Sequence, residues 1–160
     1  MKRIFNKEEV YKSLYYYQNG KRFEADVTVQ NRDITLLCEC KSKLLVLNSL
    51  KGKLESIEKD FQDAIGKAYE QIVRTEGWIN NGNEFQLEET RDNSIKKIKL
   101  NETKDIFKIC IVADHFGWIP SNIKDYIKTE RIEDLPLVLN IYDLDIITRE
   151  VKNSKELINY

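Results

Sequence analysis

The sequence predicts an α/β domain built around a mixed central sheet, and three observations carry that prediction. Leu54, Ile57, Phe61, Ile65, Ala68 and Ile72 advance in steps of 3, 4, 4, 3 and 4, the spacing of one helical face. Upstream, Phe23, Ala25, Val27 and Val29 alternate with Glu24, Asp26, Thr28 and Gln30, the period of a half-buried strand. Downstream, Phe107 to Ala113 is a mostly apolar run rich in β-formers, as expected of a strand buried on both faces.

Taken in order, Asn6-Lys-Glu-Glu9 has the spacing of a capping box, and Val10, Leu14 and Tyr17 continue at helical intervals, so a helix is expected over about 7–18. Asn19-Gly20 would end it. A strand follows from Lys21, then a turn at Asn31-Arg-Asp33 and a second strand from Ile34 to Lys41. Leu44 to Leu47 reads as an extension of that strand or a further one, ending near Asn48 to Gly52. The long helix should run over about 54–76 and stop near Gly77, with a loop at Asn80-Asn-Gly-Asn83. Residues 84–105 are polar, with a candidate strand from Ser94 to Leu100. Leu137 to Tyr142 reads as a strand after Pro136, and Asn153 to Tyr160 as a short helix. No repeat or linker divides the chain, so residues 1–160 are expected to form a single domain.

Composition narrows the class. With 41% hydrophobic and 33% charged residues, and only 6 Gly and 2 Pro, the chain can build a core and is not of disordered or fibrous type. Met1-Lys-Arg-Ile-Phe-Asn lacks the apolar stretch of a secretory leader, and the longest apolar run, Ile109 to Ala113, is five residues against the roughly 20 needed to cross a bilayer. The three cysteines, Cys38, Cys40 and Cys110, are an odd set, and Cys38-Glu-Cys40 is a poor geometry for a disulfide. A soluble, cytoplasmic protein with reduced thiols packed as small apolar groups is the expectation. The balance of 26 Lys+Arg against 27 Asp+Glu, a net −1, argues on its face against a polyanionic partner.

The local distribution of charge qualifies that total. An even hairpin loop centred between Arg32 and Asp33 sets Asp26 opposite Glu39 and Glu24 opposite Lys41, so all four charges share one face. An odd loop would move Glu39 away from Asp26. Opposed like charges destabilise a sheet unless something positive sits between them. A hard divalent cation suits the position, because Mg²⁺ binds through one or two carboxylates and keeps several waters. Lys41, on the same face as Glu39, would orient an attacking water or stabilise charge on a phosphoryl oxygen. Such a set meets the needs of phosphodiester hydrolysis.

Glu24-Ala-Asp26, twelve intervening residues, then Glu39-Cys-Lys41 on the next strand resembles the site of the PD-(D/E)XK nuclease superfamily. The resemblance implies a restriction-endonuclease-like mixed central sheet flanked by helices, with Asp26, Glu39 and the Cys40 carbonyl binding Mg²⁺ or Mn²⁺ and Lys41 supporting the attacking water. It implies assisting roles for Glu24 and for Gln71, which lies at the edge of the apolar stripe next to Ala64 and Ala68 on the long helix. It also implies a nucleic-acid partner, DNA before RNA, and is compatible with a dimer. Ala25 stands where the family's motif has Pro, and Thr75 stands four residues after Gln71, so the Gln-x-x-x-Tyr signature of one branch is absent.

Blander readings stand beside these. Asp26, Glu39 and Lys41 also suit a solvated face with Glu24 and Lys41 as a cross-strand ion pair. Glu24 suits a surface charge, Gln71 an exposed helix edge, and Glu9 a cap in place of an arm reaching the site. His115, the sole histidine, suits a strand-end role better than a zinc site. Tyr15-Tyr-Tyr17 suits helix packing better than base stacking. Four lysines and no acid fall between residues 41 and 54, six basic residues and three acids between Arg91 and Cys110, and two basic residues and six acids between Glu130 and Glu150. That asymmetry would place a basic side beside the site and an acidic far end. The class alternative to a nuclease is a catalytically silent module of the same fold, used for binding nucleic acid or protein in a larger assembly.

Overall fold

The computed structural model describes residues 4–31, 34–88, 94–101, 103, 105–113, 116, 123–127, 129, 134–151, 153 and 156–157. A 3₁₀ turn at Lys7–Glu9 leads into β1 (Val10–Gln18), β2 (Lys21–Gln30) and β3 (Ile34–Lys41). Two helices follow, α1 (Leu47–Leu50) and α2 (Leu54–Phe61); a π turn (Gln62–Gly66) joins α2 to α3 (Lys67–Asn80). Then come β4 (Glu84–Glu88), β5 (Ile95–Lys99), β6 (Asp105–Val112), β7 (Leu137–Asn140) and α4 (Ile141–Glu150). The seven strands form one sheet in the order β5-β4-β1-β2-β3-β6-β7. Pairs on the β5 side of β3 are antiparallel and those on the β7 side parallel, so the sheet is mixed and β3 is its seam.

The expected α/β class holds, while the first element is corrected: residues 10–18 are a strand, not a helix. The capping box does form, with the Asn6 N–H donating to Glu9 Oε2 at 3.0 Å, but it closes only the 3₁₀ turn. Glu9 is thereby committed at the N-terminus of that turn. Asn19 (φ 52°) and Gly20 (φ 74°) both occupy the left-handed region, as a two-residue hairpin turn between β1 and β2 requires. Tyr15 and Tyr16 are buried strand residues and Tyr17 is exposed. The Tyr16 ring stacks on Trp78 at 4.7 Å and meets Phe85 edge-on at 5.4 Å, tying β1 to α3 and β4.

Helix α3 packs over β3, β6 and β2. Phe61, Ile65, Ala68 and Ile72 of the expected stripe are buried in the core beneath it together with Ala64, Ile57 is partly buried, and Leu54 is exposed. The helix continues past Gly77 to Asn80. No strand forms at Leu44 to Leu47. That segment leads into α1, and buried Asp60 of α2 holds it: Asp60 Oδ2 accepts from the Val46 N–H at 2.7 Å and from Ser49 Oγ at 2.8 Å, while Oδ1 pairs with Lys43 Nζ at 3.3 Å. Burial opposes the charge on Asp60, but these donors outweigh it and hold the carboxyl below its usual range.

At the other end of the chain, β7 stops at Asn140, whose Oδ1 accepts from the Tyr142 and Asp143 N–H groups and so starts a helix where a strand was expected to continue. Of the expected C-terminal helix, only Glu156 and Leu157 are helical among the described residues; Ile158 lies outside them.

Asp60→Ala would leave the Val46 N–H, Ser49 and Lys43 without their shared acceptor, so we expect a loss of about 2–3 kcal/mol. Amide exchange should accelerate first over residues 43–53, measured by denaturant unfolding and hydrogen-exchange mass spectrometry.

Candidate functional site

The site forms where β2 and β3 part. Their ladder runs Gln30↔Thr35, Val29↔Leu36, Thr28↔Leu37 and Val27↔Cys38, the register that an even loop imposes. Its next step would pair Asp26 with Glu39, and there the ladder ends. Side chains take over instead: the Cys40 N–H donates to Asp26 Oδ2 at 2.8 Å, and the Asp26 N–H donates to Glu39 Oε1 at 3.4 Å.

A break in strand alternation lies at the same point. Phe23 and Ala25 pack in the core beneath α3, while Val27 and Val29 belong to the cluster on the opposite face, so the four are not on one face as the alternation suggested. In the ladder with β1, Lys12↔Val27 is followed by Leu14↔Ala25, with no bridge between Ser13 and Asp26. Ser13 has a φ of 55°, uncommon for a residue with a side chain.

Glu39 shares its strand face with Leu37 and points under α3, with only 2% of its surface exposed. Lys41 Nζ reaches Glu39 Oε2 at 3.3 Å and donates to Gln71 Oε1 at 2.5 Å. Thus Asp26, Glu39, Lys41 and Gln71 form one connected group drawn from β2, β3 and α3. Glu24 lies on β2 opposite Tyr15 of β1 and makes no hydrogen bond or ion pair with the group. It is not opposite a bonded Lys41 as the extended register would have it. Cys40 contributes its main chain to the group and its side chain is exposed; Cys38 and Cys110 are buried, and burial pushes both thiols up to about 12. All three cysteines are free. His115 lies outside the described residues.

Electrostatically, Glu39 is the anomalous member. Burial, reinforced by the Asp26 carboxylate, pushes its carboxyl up to about 7, against the opposing pull of Lys41 and the Asp26 N–H. Asp26 and Glu39 offer two hard oxygen donors, the number a Mg²⁺ or Mn²⁺ ion takes from a protein when water and phosphate complete its shell. Among the described residues no set of three His, Cys, Asp or Glu side chains gathers to make a closed metal cage. The donor chemistry suits an open, exchangeable ion. The group also lies at the carboxyl ends of the parallel strands, where Lys41 is in register with Val112 and, one strand on, Val112 with Asn140.

Two functional placements differ from expectation. Lys96, Lys97 and Lys99 lie on β5, the far edge of the sheet, four strands or about 19 Å from β3, where they protect an exposed edge. The acid-rich segment carries β7 and α4, two strands from β3 on the other side. Among the described residues, the lysine-rich flank next to the site is therefore that of residues 41–54. Missed by sequence reading were Asp60, which its position three residues after Ile57 could have marked as inward-facing, and Lys108. The latter is a buried lysine inside an apolar strand, paired with Glu76 at 3.0 Å and Asp134 at 3.6 Å.

No family model, curated protein or solved structure matches the chain. No helix among the described residues is long and apolar enough to cross a membrane.

Glu39 gives a signed pH dependence. With its folded-state carboxyl near 7 against an ordinary 4.5, the folded chain binds extra protons between those values, so stability falls as pH rises across that window. The loss from this group is about 3 kcal/mol, complete above the folded value. Glu39→Gln should flatten the curve and raise the Tm at about pH 8 relative to the parent, read by thermal unfolding across pH.

Proposed function

We propose that this domain is a metal-dependent nuclease of PD-(D/E)XK type, hydrolysing phosphodiester bonds with an activated water. The observation that carries the reading is the connected group Asp26, Glu39, Lys41 and Gln71: two carboxylates held together at a strand divergence, one of them buried, with a cation fixed beside them. A buried carboxyl set beside a second carboxylate is costly in a protein that makes no use of it, and a hard cation relieves the cost.

In this reading Asp26, Glu39 and the Cys40 carbonyl would hold Mg²⁺ or Mn²⁺. When bound, the ion supplies neutralising charge for the phosphate and lowers the pKa of water. Gln71 accepts from Lys41 Nζ and fixes the ammonium against Glu39, which orients its remaining donor toward a water or a phosphoryl oxygen. The Cys40 N–H holds Asp26 by Oδ2, which leaves Oδ1 available to the ion. Glu24, set apart from the group, is assigned no step. The seven-stranded mixed sheet with α3 over the site is compatible with the restriction-endonuclase-like architecture that this reading carries.

The test is incubation with supercoiled plasmid, linear duplex, single-stranded DNA and RNA in Mg²⁺ and in Mn²⁺. We expect cleavage of at least one substrate, abolished in Asp26→Ala and Glu39→Ala and reduced by about 10²-fold or more in Lys41→Ala. Gln71→Ala, acting through Lys41, should retain part of the activity. Undiminished cleavage by Glu39→Ala would contradict the assignment. Inactivity on all four substrates, with no binding of millimolar Mn²⁺, would favour the catalytically silent module.

A further inference from the structure

The segment that leaves the site has an unusual surface. Leu44, Val46, Leu47, Leu50 and Leu54 are all 43–66% exposed, and they fall within eleven residues that begin three positions after Lys41. Exposed aliphatic residues on a loose loop would be unremarkable, but this segment is fastened from below. Buried Asp60 accepts from the main chain at Val46, from the Ser49 hydroxyl and from Lys43, and the Leu50, Lys51, Gly52 and Lys53 N–H groups all bond back to carbonyls at residues 46–49. Gly52 turns the chain with a φ of 81°. The protein thus commits a buried carboxylate to presenting aliphatic side chains to solvent.

Charge decides what those side chains meet. Residues 41–54 hold four lysines and no acid. Lys41 and Lys43 are engaged by the site and by Asp60, which leaves exposed Lys51 and Lys53 among the leucines; Lys53 makes a surface pair with Glu55 at 3.6 Å. The cores of protein interfaces are depleted in lysine and enriched in aromatic residues, the reverse of this surface. Nucleic-acid surfaces that part stacked bases use this combination, with aliphatic wedges against the bases and lysines on the phosphates.

We propose that residues 44–54 grip a nucleic-acid strand with unstacked bases next to the Asp26–Glu39 site, Leu47 and Leu50 lying against the bases and Lys51 and Lys53 on the phosphates. The identity of the ligand rests on the nuclease reading. The segment selects unpaired or openable strands, and because it follows β3 directly, a strand held there passes the carboxyl ends of the parallel strands.

Fluorescence anisotropy tests this in Ca²⁺ buffer, which separates binding from cleavage, with a labelled single strand of about 20 nucleotides and the matching blunt duplex. The wild-type protein should hold the single strand about tenfold more tightly than the duplex, and the Leu47→Ser/Leu50→Ser variant should lose about tenfold of that affinity. Lys51→Gln/Lys53→Gln should lower the slope of log affinity against log salt by about 1.4. All four positions are solvent-facing, and unchanged unfolding midpoints check that the variants fold. Wild-type affinity in the leucine variant overturns the proposal, as does failure to bind either oligonucleotide, the result a protein-docking surface would give. Cleavage in Mn²⁺ distinguishes the two readings: leucine-dependent binding without any cleavage defeats the nuclease assignment alone, and cleavage with leucine-independent binding defeats this proposal alone.

Discussion

Two carboxylates, half-buried Asp26 and fully buried Glu39, are held side by side where two strands part. Glu39 is 2% exposed and close enough to Asp26 that the Asp26 carboxylate adds to burial in pushing the Glu39 carboxyl up. Such a pair persists only if the surrounding structure overdetermines it. Here the strands part at the pair, the Cys40 and Asp26 N–H groups are redirected from the ladder to carboxylate oxygens, and Lys41 is fixed against Glu39 by Gln71. Each redirected donor is one that a regular sheet would have spent on its neighbour strand. The register of one hairpin controls the whole arrangement, because a one-residue slip would exchange Glu39 for a neighbour on the other face.

The rest of the fold can be understood as support for that geometry. The mixed sheet places β3 at the seam, so its carboxyl end is flanked by a parallel strand on one side and a diverging antiparallel strand on the other. Helix α3 closes the site from above, anchored by Ala68, Ile72 and Ile79 in the core and by the Tyr16–Thr75 contact at 3.3 Å. Gln71 therefore arrives at Lys41 on a rigid element, which a functional side chain needs if its position is to matter. Asp60 extends the same order outward, fixing the segment that emerges from the site.

How much of this was legible follows from where the chain obeys its local period. β3, the α2–α3 stripe and the hairpin register could be read because alternation, helical spacing and loop length were each intact over those residues. β1 could not, since the positive φ at Ser13 splits Val10 from Leu14 and Tyr16 onto different faces and hides the period of two. What remained imitated helical spacing behind a genuine capping box, and the Asn19-Gly20 hairpin turn passed for a helix stop. The break at Asp26 was hidden for the same reason: Phe23 to Val29 alternates perfectly in sequence, and only the folded sheet reveals the change of face. The four group members share a register and a helix edge that the sequence does specify, whereas the isolation of Glu24 depends on strand divergence, which no pattern encodes. The switch from β7 to α4 turns on the Asn140 cap, which the apolar residues on either side of it concealed.

In the proposed function a divalent cation resolves the charge conflict at Glu39. Calorimetric titration with Mn²⁺ in two buffers of unequal ionisation enthalpy tests it directly, since a carboxyl that is half protonated near pH 7 must give up its proton to bind metal. We expect binding at millimolar Mn²⁺ or tighter, with release of nearly one proton at about pH 6, little release at about pH 8.5, and loss of both binding and release in Glu39→Gln. Absence of binding at either pH, or binding that Glu39→Gln leaves unchanged, would contradict it.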